Sequence, residues 1–315
     1  MTSANLASLY ETLVTYRKFE ETIAAAVTSG EIHGEMHLGI GQEAIAVAMG
    51  LHLRPGDAVV STHRPHLHAL ALGVDPVLML AEILERDGLN RGKGGHMHLF
   101  DPVGFMCTGI VGAGAPLALG YALKQALDGA GGVTVAVVGD GAMNQGAVFE
   151  SMNLAAVRRL PVVFLCEDNA YSISVRKQES TAGELARRGG AFGIPGSACD
   201  GTDIAALDGV LHDAFGRART RRLPSLVVAH AYRFRGHYEG DLDLYRPAEE
   251  KEEAARSRDP VAIQRARAEE SGIEPAILDE AAARAASTVA DWFRAARELP
   301  APRPADARSG VYAGA

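Results

Sequence analysis

The sequence predicts an α/β fold, a parallel sheet flanked by helices, with a helical extension at the N- and C-terminal ends. Three observations carry this. VTVAVVGD (133–140), PVVFLCED (161–168) and SLVVAHAYR (225–233) are short, continuously apolar, β-branched runs, the pattern of strands buried on both faces. The segments between them read as helices, and strand, helix, strand at this spacing is a βαβ unit with a right-handed crossover. Each run also ends in polar residues: Asp140, then Glu167-Asp168-Asn169, then Arg233 onward to His237. Ligands of open parallel sheets bind beyond the carboxyl ends of the strands, so the site is expected there.

In chain order, Leu6, Leu9, Leu13, Tyr16, Phe19, Ile23 and Val27 recur at three- and four-residue steps, which predicts an amphipathic helix over 4–28 ending near Ser29-Gly30. A second helix is expected from Gln42 to Leu53, closed by Pro55-Gly56-Asp57. A histidine-rich segment, STHRPHLHAL (61–70), follows. Between Gly88 and Gly120 the glycine density of GLNRGKGGHMHLF and TGIVGAGAPLALG implies tight turns and close backbone approach. After the three strands the chain turns charged and alanine-rich, with Ile277, Leu278, Ala281, Ala285, Val289, Trp292 and Phe293 marking one more amphipathic helix. PAPRPADARSGVYAGA (300–315) reads as an extended or wrapping tail. The expected division is an N-terminal helical segment (1–60), an α/β domain (61–250) and a C-terminal helical segment with tail (251–315).

Composition narrows the class. With 31 Lys+Arg against 39 Asp+Glu the formal charge is −8, which argues against general nucleic-acid binding. At 47% hydrophobic and 22% charged residues the chain is near the globular average, so disorder is excluded as its main state. Cys107, Cys166 and Cys199 are odd in number, far apart and lack C-x-x-C spacing, so no disulfide framework is indicated and a reducing, cytoplasmic setting is expected. The charged N-terminus lacks an apolar h-region, and no run of 18 or more apolar residues occurs; no export or membrane signal is expected.

Gly139-Asp140-Gly141-Ala142-Met143-Asn144 sits at a strand-to-helix junction. A dinucleotide fingerprint needs a third glycine where Asn144 stands, which weakens a nicotinamide reading but leaves it as an alternative, and the only Gly-Lys pair, Gly92-Lys93, is followed by Gly94 rather than Ser or Thr, so a P-loop reading fails. Two readings of Asp140 remain: it caps its own helix, or it holds a divalent cation while nearby amides cradle a diphosphate. Asn169, at the end of the next strand, could share that cation. His63, His66 and His68, with His96 and His98, come with no Cys or HExxH partner, so zinc is not indicated.

GDGAMNQGAVFESMNLAAVRRLPVVFLCEDNAYSIS resembles the thiamin-diphosphate motif. Its flanks are similar to the α subunit of the E1 component of 2-oxo acid dehydrogenase complexes and of acetoin dehydrogenase. The likeness extends from RKFEE (17–21) through GKGGHMHL (92–99) and TGIVGAGAPLALG (108–120) to RFRGHYEGD (233–241). It implies a thiamin-diphosphate-binding fold and a Mg2+ held by Asp140, Asn169 and the carbonyl of Tyr171. Gly141 and Ala142 would meet the diphosphate, Arg64 would pair with it, and His63 would line the cofactor site, standing where pyruvate dehydrogenases have tyrosine. Gly109 and Val111 match the segment against the aminopyrimidine; otherwise they are a glycine turn and a core valine. His237 matches the loop histidine that contacts the cofactor and assists the reaction, an imidazole suited to donating a hydrogen bond or passing a proton. His66 matches another histidine of the entrance, with a catalytic role.

The resemblance also implies assembly and substrate. The expected complex is α2β2, with an E1 β subunit supplying the glutamate that activates the cofactor and an E2 lipoyl acyltransferase receiving the acyl unit. HYEGDLDLYR (237–246) is similar to the acetoin dehydrogenase pattern, so acetoin, another small acyloin or a 2-oxo acid such as pyruvate is the expected substrate. Phe105, Tyr238 and the surroundings of His66 are expected to set it. Tyr238 stands where animal pyruvate dehydrogenases carry a regulatory serine. Arg217, Arg219, Arg221 and Arg222 are expected to be a solvated helix end. A non-catalytic family member is a further alternative.

Overall fold

A computed structural model describes residues 3–309. Helix α1 (Ser3–Thr28) and helix α2 (Glu43–Gly50) lead into strand β1 (Ala58–Ser61), then α3 (His66–Leu72) and α4 (Pro76–Ile83). Strands β2 (Phe100–Asp101) and β3 (Phe105–Cys107) precede α5 (Gly114–Asp128), β4 (Thr134–Gly139), α6 (Gly146–Arg158) and β5 (Val162–Asp168). A hairpin, β6 (Tyr171–Ser172) and β7 (Val175–Arg176), carries α7 (Lys177–Ser180). The chain continues through β8 (Gly196–Asp200), α8 (Ile204–Arg221) and β9 (Ser225–His230), and closes with α9 (Ala248–Ser257), α10 (Pro260–Glu270) and α11 (Pro275–Glu298).

The main sheet has seven strands in the order β2-β3-β1-β4-β5-β9-β8, with only β2 antiparallel to its neighbour. The three strands legible as apolar runs are its centre, β4-β5-β9. Successive side chains of a strand point to opposite faces, and both faces are covered. Val135, Val137, Val163, Leu165 and Val227 face the core shared with α1, α2, α8 and α11, whereas Ala136, Val138, Phe164, Cys166 and Val228 face α5 and α6. This is why those runs show no polar alternation. The outer strands went unread: β1 is four residues, β2 and β3 shorter still, and β8, at an edge, is largely exposed.

The sequence-based division needs two changes. Strand β1 begins at Ala58, so residues 58–60 belong to the sheet rather than to an N-terminal helical segment. Three helices, not one, follow Tyr245. Leu6, Tyr10 and Val14 of α1 bury against Ala268 of α10 and Leu278, Ala281 and Ala285 of α11, so the two extensions pack together. Asp259 caps α10 through the Val261 amide and receives Arg17 at 2.9 Å, joining the same ends by charge. Helix α2 stops at Gly50, short of Leu53. Nor is Arg219 solvated: it forks onto Asp57 at 2.9 and 2.8 Å, while Arg221 and Arg222 are exposed. Of the tail, Asp306 accepts from Arg303 and Lys93 reaches the Asp306 and Ser309 carbonyls; residues 310–315 lie outside the described residues. Among the described residues no helix is long and apolar enough to cross a membrane.

Candidate functional site

A cavity of about 520 Å³ opens at the carboxyl ends of β1, β4 and β5. One wall is the turn after β4. Asp140 follows Gly139, whose register partner on β5 is Glu167, and the Asp140 amide donates to the Glu167 carbonyl at 3.3 Å. A single 3-10 turn, Ala142–Asn144, separates this point from α6. Asp140 therefore does not cap a helix, which removes that reading of the motif.

The Asp140 carboxyl is almost fully buried, and its Oδ2 finds no hydrogen-bond partner among the described residues. Burial, and then the negative charge of Asp168, push its pKa up to about 6. A buried carboxylate in this condition is satisfied by a proton or by a cation. Beside it the Ser172 hydroxyl is also buried and unpartnered. Any side chain at 141 would strike Ser172, its Cβ falling 2.0 Å from that hydroxyl, so only glycine lets the two turns meet.

The adjoining turn follows β5. Asn169 donates its amide to Gln42 at 2.9 Å, and its Oδ1 takes the Tyr171 amide at 3.2 Å. Ala170 holds φ +70°, a left-handed conformation costly for a residue with a Cβ, and such outliers cluster at functional sites. Tyr171 is anchored by Glu250, which its hydroxyl reaches at 2.8 Å, and by Arg246 stacked 5.6 Å from the ring. Asp168, where the motif has asparagine, points elsewhere: it accepts from Lys177 at 2.5 Å and pairs with His230 at 2.8 Å. These residues fit a hard cation with a diphosphate: an unsatisfied carboxylate, a neighbouring amide oxygen and a glycine turn.

The opposite wall is made of histidines. His37, His63 and His237 all line the cavity, with ring centroids 4.7–5.3 Å apart. Burial first, and then the charge of Arg64, depress their pKa values to about 3, about 2 and about 4, so all three are neutral at pH 7. Arg64 donates to the His237 carbonyl at 2.6 Å and lies 3.2 Å from His237 Nδ1. A guanidinium can only donate, so Nδ1 accepts and the ring proton sits on Nε2. The other Arg64 nitrogen, Nη1, donates to the Leu38 carbonyl at 2.8 Å. Arg64 thus lines the cavity while tying the His237 loop to the segment that bears His37.

That loop is clamped at its base. Arg246, fully buried in its side chain, forks onto Asp243 at 2.6 Å and donates to the carbonyls of Arg233 and Arg235. The rings of Tyr171, Tyr232 and Tyr245 surround its guanidinium at 5.2–5.9 Å. Through Tyr171 the same residue touches both walls.

Most expected site residues meet here: His63, Arg64, Gly109, Val111, Asp140, Gly141, Ala142, Asn169, Tyr171 and His237 all line the cavity. Val111 is exposed at the rim rather than in the core. His66 does not line it. Its ring is fully buried and bound through Nδ1 to Glu20 at 3.1 Å, behind the wall that His96 and His37 form. Phe105 lies wholly in the core on β3, and Tyr238 packs on His37 behind the lining, so neither is among the residues that line this cavity. The sequence reading missed His37 and Gln42, whereas Arg233, marked as the polar end of a strand run, does line the cavity. The two missed residues sit in MHLGIGQEA, whose glycine spacing before a helix was the available signal.

The family model described as "Dehydrogenase E1 component" matches residues 11–305. The α subunit of acetoin:2,6-dichlorophenolindophenol oxidoreductase from Cupriavidus necator is 40% identical over 98% of this chain and 94% of its own length. Its Bacillus subtilis counterpart is 40% identical over 80% of the chain and 77% of its length. The pyruvate dehydrogenase E1 component α subunit of Zymomonas mobilis is 38% identical over 81% and 74%. With geometry and similarity in agreement, this chain belongs to the dehydrogenase E1 component family.

Proposed function

We propose that this chain is the α subunit of a thiamin-diphosphate-dependent E1 dehydrogenase, binding the cofactor's diphosphate through Mg2+ at Asp140, Asn169 and the Tyr171 carbonyl. The observation that carries the reading is the buried, unpartnered Asp140 Oδ2 facing a cavity whose far wall presents neutral histidines. When bound, the cofactor supplies the carbanion that attacks a carbonyl and stores the resulting charge.

The chain's own residues divide the remaining work. Asp140 and Asn169 supply oxygens to the cation, and Gly141 and Ala142 let the backbone approach the diphosphate. Arg64 fixes His237 with its proton on Nε2, where it can donate to a developing oxyanion or hand a proton to a substrate oxygen. Val111 and Ile110, apolar and exposed at the rim, shape the space beside the cofactor ring.

Acetoin is the leading substrate, supported by the His-Tyr-Glu-Gly-Asp loop and by the likeness to acetoin oxidoreductase α subunits; pyruvate is the alternative. A β subunit completes the site in an α2β2 enzyme, and an E2 lipoyl group takes the acyl unit. Toward the ends of α5 and α6 that lie away from the cavity, Leu123 and Leu127 of α5 and Leu154 and Val157 of α6 leave apolar surface in solvent, which a subunit interface can cover. The test is reconstitution with the cognate β subunit, thiamin diphosphate and Mg2+, reading acceptor reduction with acetoin and with pyruvate. Turnover only in the two-subunit mixture, faster with acetoin, supports the reading; equal turnover by the α chain alone overturns the split site.

A further inference from the structure

The cavity joins three side chains that lie far apart in sequence. His37 precedes α2, His63 follows β1, and His237 sits in the loop after β9. One ring nitrogen of each lies within 4.8 Å of the other two. The rings stand at steep angles, 81° between His37 and His63 and 80° between His37 and His237, rather than stacked flat. We propose that His37, His63 and His237 form a binding site for a divalent transition-metal ion, with Zn2+ as the representative, separate from the magnesium position at Asp140 and Asn169.

The donor chemistry decides the ion. Imidazole nitrogen suits Zn2+, Ni2+ and Cu2+, whereas Mg2+ takes oxygen ligands. Three protein nitrogens with a fourth position open to the cavity is a familiar zinc arrangement. Tetrahedral coordination at about 2.0–2.1 Å places the nitrogens roughly 3.3 Å apart, so the rings draw together by about an ångström or more. All three are neutral at pH 7, so binding displaces no ring charge.

The surroundings orient one ligand and hold another. His96 Nε2 accepts the His37 amide at 3.3 Å and lies 3.1 Å from His37 Nδ1. Nδ1 therefore carries the His37 proton and Nε2 keeps the lone pair, the usual support of a metal-bound histidine. Arg64 and Arg233 oppose a cation, and the buried carboxylates of Glu167 and Glu20 offset part of their charge. Arg64 Nη2 makes both the 2.6 Å bond to the His237 carbonyl and the 3.2 Å contact to Nδ1, so metal binding requires the imidazole to turn off that nitrogen toward His37 and His63 while the carbonyl bond stays. In the reconstituted enzyme the bound ion would withdraw His237 from the cofactor, a consequence that rests on the function proposed above.

Cobalt titration tests the site without that reading. The full chain, without thiamin diphosphate and in excess Mg2+, is titrated with CoCl2 while the visible spectrum is recorded, alongside His37→Gln, His63→Gln and Asp140→Ala. The expected result is one Co2+ per chain with the intense absorption of four-coordinate cobalt. Each histidine variant weakens it by about tenfold or more, Asp140→Ala leaves it in place, and ZnCl2 displaces it. Circular dichroism confirms that each variant is folded, and the two histidine variants test the site independently. Weak octahedral absorption, or cobalt binding lost in Asp140→Ala and kept in both histidine variants, overturns the proposal. Failure here leaves the magnesium reading intact, because thiamin diphosphate binding is measured separately.

Discussion

The two walls of the cavity are built differently. The Asp140 wall comes from turns at the ends of neighbouring strands, where the β4–β5 ladder, running to Gly139 opposite Glu167, sets the position of both residues. The histidine wall comes from three loops held by side chains: Arg64 on the carbonyls of Leu38 and His237, and Arg246 on those of Arg233 and Arg235. Backbone ladders fix position to fractions of an ångström, while loops keep freedom to close. The account therefore assigns binding to the strand-end wall and proton or hydrogen-bond chemistry to the loop wall.

A crossed pair of variants breaks this comparison most sharply. His237→Ala is expected to lower turnover of the reconstituted enzyme by about 10²–10⁴-fold, with thiamin diphosphate affinity changed only severalfold. Asp140→Ala is expected to raise the thiamin diphosphate Kd about a hundredfold or more at saturating Mg2+. Steady-state kinetics and calorimetry separate the two; the same profile for both variants would dissolve the distinction between the walls.

Arg246→Met probes the clamp. It leaves Asp243, almost buried, with only Lys251 at 3.6 Å in place of the Arg246 fork, a loss of about 3 kcal/mol. Thermal denaturation should show this, and the surviving folded fraction should lose kcat before cofactor affinity.

Acid should act through the histidine wall. The folded pKa values of His37, His63 and His237 lie below the ordinary 6.5, so between pH 6.5 and about 4 these three sites bind more protons in the unfolded chain than in the folded one, offset in part by Asp140, whose carboxyl is raised to about 6. Stability is full above pH 6.5 and falls as pH drops through that window, by up to about 1.4 kcal/mol per unit for each histidine. Denaturant midpoints measured across the window should show a shallower slope in His63→Gln.

The smallest effect is expected at Asp168→Asn, which restores the usual motif. Asp168 serves Lys177 and His230, away from the cavity, so cofactor affinity should stay within about twofold while stability drops by roughly 1–3 kcal/mol. A large change in affinity would place Asp168 in the binding wall.

The contrast between walls also explains what could be read from sequence. Asp140 and Asn169 were legible because a strand run and its terminal polar residue are adjacent in the chain, and the central strands are continuous apolar runs. His37 was not, because its neighbours in space, His63 and His237, are far away in sequence. His66 was assigned to the site by its match to a histidine of the entrance, yet as the first residue of α3 it faces Glu20 in the core. Strand β1 escaped because four residues carry too little pattern, and the C-terminal helices α9 and α10 because their exposed faces dilute the apolar period.

The central claim is that Asp140 awaits a cation that anchors a diphosphate. Its most direct test is calorimetric titration of thiamin diphosphate into the full chain with its β partner, with Mg2+ and with EDTA, for the unaltered chain and for Asp140→Asn. The account predicts binding that requires Mg2+ in the unaltered chain and is lost in Asp140→Asn. Equal binding in EDTA, or undiminished binding by Asp140→Asn, would contradict it.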